Sequence, residues 1–161
     1  MCAGPISVGE GASEPGTLVF PNDPARRIEI LWHDEKQQRR PALIRVGAGA
    51  LWHFRATDDP GADGATLGVG TPLAAVEAAN GRPFTLSGFE WDYGGFVTDW
   101  RGGRLATPPG GCLLSLQFEP GPPVSDAASR AVGGDRPFSS ASRAMRTVKP
   151  VVGRMSLQWA Q

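Results

Sequence analysis

The sequence predicts an α+β fold rich in β: a mostly antiparallel, twisted or curled sheet with one or two short helices packed on it. Three observations predict it. Short runs alternate apolar and polar residues with the period of a half-buried strand. Turn clusters separate the runs, drawn from 22 glycines and 15 prolines spread along 161 residues. No regular strand–helix–strand alternation signals a parallel sheet, and short connections pair neighbouring strands antiparallel. The length suits one domain. Residues 1–16 read as a flexible N-terminal arm, Gly/Ala/Ser/Pro-rich and aperiodic. Residues 17–161 read as a single β-rich domain.

The first strand signal is Thr17 to Phe20, stopped by Pro21-Asn22-Asp23-Pro24. In Arg27 to Trp32, Ile28, Ile30 and Trp32 alternate with Arg27, Glu29 and Leu31. A polar tip, His33 to Arg40, leads into Ala42 to Val46, so the two runs read as a hairpin, and Lys36, Arg39 and Arg40 as its solvated end. Leu51 to Phe54 follows as a short strand, and Asp58 to Gly64 as a loop. Pro72 to Ala79 is the best-signalled helix. Thr71 stands as its N-cap, Pro72 at its first position, Leu73 and Val76 on its buried face, and Asn80-Gly81 as its stop. Phe84 to Trp91, Phe96 to Trp100, Cys112 to Phe118 and Arg154 to Trp159 read as strands, and Asp126 to Val132 as a helical turn or two capped by Asp126. The total is about eight strands. The triplet Leu31-Trp32-His33 recurs at Leu51-Trp52-His53, but nothing around the two copies matches, so it is not a repeat.

Charge excludes some functions. Sixteen basic residues balance sixteen acidic ones, with no basic stripe, so no nucleic-acid partner is expected. No apolar run approaches the ~18 residues of a membrane span, and the segment after Met1 lacks the apolar core of a secretory signal. The two cysteines, Cys2 and Cys112, leave three readings open. Cys2 is a candidate lipid anchor, the first residue of a mature lipoprotein behind Met1. The pair forms a disulfide in an oxidising compartment. Or the two are unrelated thiols.

Catalytic patterns are weak. His33 and His53 are the only histidines, and neither lies in a metal-ligand spacing. Asp58, Asp59 and Asp63 cluster without the spacing of a calcium loop. There is no nucleophile elbow, and Cys112 in its apolar run reads as a buried thiol. Gly68-Val69-Gly70 lacks the third glycine of a dinucleotide fingerprint. Glu90, Asp92 and Asp99 beside Trp91 and Trp100 suggest glycoside chemistry, but Asp92 opens a Gly-Gly turn, where Asp bonds its own backbone. No catalytic residue, cofactor or metal site is therefore assigned. Five tryptophans, Trp32, Trp52, Trp91, Trp100 and Trp159, read first as core. If some are exposed instead, Trp91, Asp92, Tyr93 and Trp100 form the candidate binding surface for a protein or glycan partner.

The run Asn80-Gly81-Arg82-Pro83-Phe84-Thr85-Leu86-Ser87-Gly88-Phe89-Glu90-Trp91-Asp92-Tyr93-Gly94-Gly95 resembles an N-G-x-P-F-x-L-x-G-F-x-W-D-Y-G-G motif. That motif is carried by a group of exported bacterial proteins with no assigned activity. The resemblance reaches back to Thr71, Val76 and Glu77, forward to Trp100, and touches Gly16 to Phe20, about half of the chain. Gly70-Thr71, Val76 and Gly81-Arg82-Pro83 are also similar to the helix segment of small outer-membrane assembly lipoproteins, which have a β-lactamase-inhibitor-like fold. These resemblances imply an exported envelope protein, periplasmic or tethered to the outer membrane through Cys2. They transfer no functional residue. The expectation is thus a non-enzymatic cell-envelope protein acting through its surface. The alternatives are a hydrolase using the acids near Trp91 and Trp100, or a glycan- or ligand-binding module.

Overall fold

A computed structural model describes residues 1–56, 64–121 and 124–160. The chain runs β1 (Cys2–Gly9), β2 (Ala12–Val19), β3 (Ile28–Asp34), β4 (Arg39–Val46), β5 (His53–Arg55), β6 (Thr66–Gly68), α1 (Leu73–Asn80), β7 (Thr85–Ser87), β8 (Val97–Asp99), β9 (Leu113–Glu119), α2 (Asp126–Val132), β10 (Pro137–Ser139), α3 (Arg143–Val148) and β11 (Val151–Gln158). A six-stranded open sheet in the order β1-β2-β3-β4-β11-β9 is the frame, with every adjacent pair antiparallel. A three-stranded sheet β10-β7-β8 and a two-stranded ribbon β5-β6 complete the strands. The β-rich, mostly antiparallel fold with short helices is therefore the one the alternation predicts.

Alternation sorts the large sheet into two faces. Val46, Met155, Leu114, Leu116 and Phe118 point into the main core, where Leu73, Val76, Phe84, Met145 and Val148 meet them. The opposite face carries Glu29, Arg45, Ser156 and Ser115, one from each of four neighbouring strands and in direct register.

The N-terminal residues correct the sequence expectation. Residues 1–16 are no flexible arm: β1 and β2 pair from Cys2 opposite Leu18 to Gly9 opposite Ala12. Glu10 and Gly11 turn the hairpin with φ of 50° and 75°, the two positive values that a tight primed turn needs. Only Thr17 to Val19 of β2 pairs with β3, so the distal half of the hairpin is free to leave the sheet plane. It folds over the sheet face instead. Ile6 is 1% exposed, seated where a Cβ on Gly16 would overlap its Cδ1 and press on Leu31. Burial of one isoleucine under a glycine gap is what converts a polar, Pro-containing stretch into ordered structure.

Other corrections are local. Thr71 does not cap α1; its Oγ1 accepts from Gly68 N (2.9 Å), closing the turn before the helix. Pro72 is the cap position, in extended conformation, and Gly81 ends the helix at φ 79° as expected. Ser125, not Asp126, caps α2 by accepting from Ala128 N. Asp126 then sits in the first turn, where the helix dipole favours a carboxylate. α3 was not predicted; Ser142 caps it. The run from Phe84 is a strand only to Ser87, and Glu90 has φ 65°. Glu90 and Asp92 therefore do not share a strand face.

Only Trp100 among the tryptophans packs against the main core, and none is fully buried. Trp52 and Trp91 are exposed, and Trp32, Trp100 and Trp159 half-buried. Each indole N–H reaches an acceptor inside the protein: Thr17 Oγ1, Arg26 O, Gly88 O, Leu114 O and Gly110 O in chain order of the tryptophans. An indole with its N–H bonded inward and its ring at the boundary is a wide clamp rather than core filling. Phe84 and Phe118, stacked 5.9 Å apart, fill that role.

Candidate functional site

The exposed face of the large sheet is the floor of a groove of about 840 Å³. Its floor residues come from β3, β4, β11 and β9. One wall is the distal β1–β2 hairpin, through Ser7, Val8 and Gly9, and another is the Asp92–Phe96 loop. Adjacent strands lie ~4.8 Å apart, so the Glu29–Arg45–Ser156–Ser115 row spans about 14 Å.

Two contacts hold the hairpin over the floor. Arg45 Nη2 donates to Ser7 O (2.8 Å), and Tyr93 Oη donates to Glu10 Oε1 (2.8 Å). The second joins the hairpin turn to the facing loop. The bond to Glu10, with desolvation and the Glu10 and Asp92 charges behind it, pushes the Tyr93 phenol above its ordinary range.

The loop wall is built from glycines. A Cβ on Gly95, whose φ is 77°, would collide with Phe118 O. Phe118 N instead donates to Gly95 O (2.8 Å), and Gln117 Nε2 to Gly94 O (3.0 Å), docking the loop on β9. Ser87 Oγ donates to Tyr93 O (2.7 Å), and Trp91 braces the tyrosine edge-on at 5.6 Å. The glycines of the Gly88 to Gly95 run thus bring backbones together so that Asp92 and Tyr93 stand at the groove.

The charged residues of the floor are partly spent on one another. Arg45 Nε donates to Glu29 Oε2 (2.8 Å), and Arg27 Nη2 to Glu29 Oε1 (2.9 Å). Burial works against the Glu29 charge, but these bonds and the two guanidinium charges outweigh it and hold the carboxyl below its usual value. Arg154 is different. Among the described residues its guanidinium has no partner, nor do the side chains of Ser115, Ser156 and Gln158.

Of the surface named from sequence, Asp92 and Tyr93 line the groove and Trp91 supports Tyr93 from outside it. Trp100 does not belong to this surface: its ring packs against Phe84 at 5.2 Å, on the core side. The other acids stand apart from the groove lining. Glu90 accepts from Ser129 Oγ (2.9 Å), and Asp99 from Arg101 N (2.6 Å). Asp58, Asp59 and Asp63 lie outside the described residues. Cys2 is exposed in β1 and Cys112 buried; both are free, so no Cys2–Cys112 disulfide forms. Burial raises the Cys112 thiol, as an unreactive cysteine requires. No helix among the described residues is long and apolar enough to cross a membrane, and no metal-ligand cluster occurs among them.

Sequence reasoning missed Arg27, Glu29, Arg45, Arg154 and Ser156, because the polar side of an alternating strand reads as solvated. The available signal was an arginine on the polar side of each of three strands, two of them far apart in sequence. Comparison with known proteins adds nothing: no family model, curated protein or solved structure matches the chain.

Proposed function

We propose that this chain is a non-enzymatic binding protein that holds a small polar ligand in the groove on its exposed sheet face. The observation carrying the reading is the floor itself. Concave sites with a few convergent polar groups are where small ligands bind, and here Arg154, Ser115, Ser156 and Gln158 converge with no protein partner. The exposed tryptophans named from sequence act through Trp91, which steadies Tyr93.

The proposal extends to the setting. The motif from Asn80 to Gly95 and the exposed Cys2 support an exported protein of the bacterial cell envelope, tethered through lipid on Cys2. Growing cells that make the full-length precursor with a labelled fatty acid tests the tether; an unlabelled Cys2 overturns it.

The groove is tested by NMR on the isotope-labelled chain, screened with monosaccharides, disaccharides, amino acids and small carboxylic acids. Binding is expected to move the Arg45, Tyr93, Ser115 and Ser156 resonances together. Hits that move only residues elsewhere refute the groove.

A further inference from the structure

Resting on the groove reading, we infer that the ligand is an acidic sugar with one carboxylate, and that Arg154 holds that carboxylate.

Charge comes first. Arg27, Arg45 and Arg154 line the groove against Glu29 and Asp92. Two of the three arginines are committed to Glu29, and Arg45 also to the hairpin through Ser7 O. The lining carries three positive charges against two negative ones, and Arg154 is the arginine with no partner. In a concave site such a charge is focused rather than diluted. A guanidinium is a planar fork matched to planar carboxylate geometry. A single surplus charge balances a monoanion; a phosphate monoester, nearly doubly charged, would face Asp92 and Glu29 with its second charge uncompensated.

The backbone aims Arg154 deliberately. Strict alternation along β11 would put Val152 and Arg154 on the same face. The ladder shifts register between them, with Gly153 as the extra residue. Val152 and Met155 both stay in the core, and Arg154 turns out to the groove with Ser156 and Gln158. Bulges re-aim side chains in this way beside functional sites. A Cβ at the bulge would displace the exposed Glu119 side chain, which lies over Gly153.

The rest of the floor fits the rest of a sugar. Ser115, Ser156 and Gln158 are neutral and both donate and accept, as hydroxyl groups do. Tyr93 and Phe96 add aromatic surface for the C–H face of a pyranose. The row of about 14 Å accommodates more than one ring.

A panel of disaccharides, each with one uronic acid, is compared with the methyl esters of the same compounds by calorimetry. Arginine Nε–Hε NMR is recorded in parallel. At low salt an acid is expected to bind at least tenfold tighter than its ester, the advantage shrinking as salt rises. The Arg154 signal should move. R154Q should bring the acid down to the affinity of the ester without changing the unfolding midpoint, and R154K should keep part of the difference. Equal binding of acid and ester at the groove, or an acid preference that survives R154Q, overturns the role of Arg154 and leaves the groove standing. Sugars that leave the groove signals still while another compound class moves them overturn the sugar assignment alone. If nothing moves those signals, the groove reading falls as well.

Discussion

Ile6→Ala isolates the β1–β2 hairpin from the rest of the fold. Ile6 is 1% exposed and belongs to a small cluster with Leu31 on the groove face, apart from the main core. Removing three buried carbons forfeits their transfer energy and leaves a cavity, a change that typically costs about 2–5 kcal/mol. The lower half of that range applies here, about 2–3 kcal/mol, because the hairpin is a surface layer and settles onto the smaller side chain. Every 1.4 kcal/mol is tenfold in an opening equilibrium, so hairpin opening should rise by roughly 30- to 150-fold. The base of the hairpin is paired to β3 only through Thr17 to Val19, so opening need not carry the sheet with it. Hydrogen exchange read residue by residue is the assay. Amides of residues 6–14 should lose protection by that factor, while those of β9 and β11 keep theirs. A uniform loss over the whole chain would show that the hairpin and core unfold as one unit. Unchanged exchange throughout would show that the Ile6 contact does not order the N-terminus.

Glu29→Gln tests the arginine pair. The Glu29 carboxyl titrates below its unfolded value, so its contribution is complete above about pH 4.3 and is lost as the pH falls through the lower folded value. The midpoint against pH should therefore fall less steeply on the acid side in E29Q than in the wild type; parallel curves would refute the pairing. Tyr93→Phe removes the bond to Glu10. The Tyr93 phenol titrates above its unfolded value, so the latch is complete below about pH 10 and is lost as the pH rises through the folded value. Hairpin exchange should quicken in Y93F at neutral pH, with the thermal midpoint unmoved, and a normal exchange pattern would sink the latch. Gly95→Ala places a Cβ against Phe118 O at φ 77°. It should cost about 2 kcal/mol or more, seen as a lower midpoint in urea; a neutral effect would mean the loop docks on β9 some other way.

How much of this was legible follows from which forces are local. The strands with apolar alternation, Ile28 to Trp32, Ala42 to Val46 and Cys112 to Phe118, were readable because one face of each meets the core. α1 was readable from its apolar spacing and Gly81. β1 was not, since its single buried residue, Ile6, leaves no periodic trace among Gly, Ser and Pro. The tryptophans misled because large rings in a small chain suggest core, whereas all five anchor an N–H and leave part of the ring outside. Asp92 and Tyr93 were found from the Gly-Gly turn that exposes them. Their partners on the floor were not, because a polar residue facing water and one facing a groove look alike until Glu29, Arg45, Ser156 and Ser115 are set side by side on β3, β4, β11 and β9.

That juxtaposition also explains why the Asn80 to Gly95 run is so dense in glycine without holding a reactive group. Gly88 packs on the backbone of Gly134 and Val132, and Gly95 on that of Phe118. These approaches fix the loop between α2 and β9, at the one place from which Tyr93 can reach Glu10 of the hairpin. The hairpin in turn depends on Gly16 to let Ile6 down onto Leu31. The floor depends on the bulge at residue 153 to turn Arg154 outward. The hairpin and loop walls of the groove are thus set by glycines at close backbone approaches, and the chemistry is carried by ordinary polar residues between them. A search for catalytic motifs passes over such a site, because its information lies in backbone placement and strand register rather than in reactive side chains.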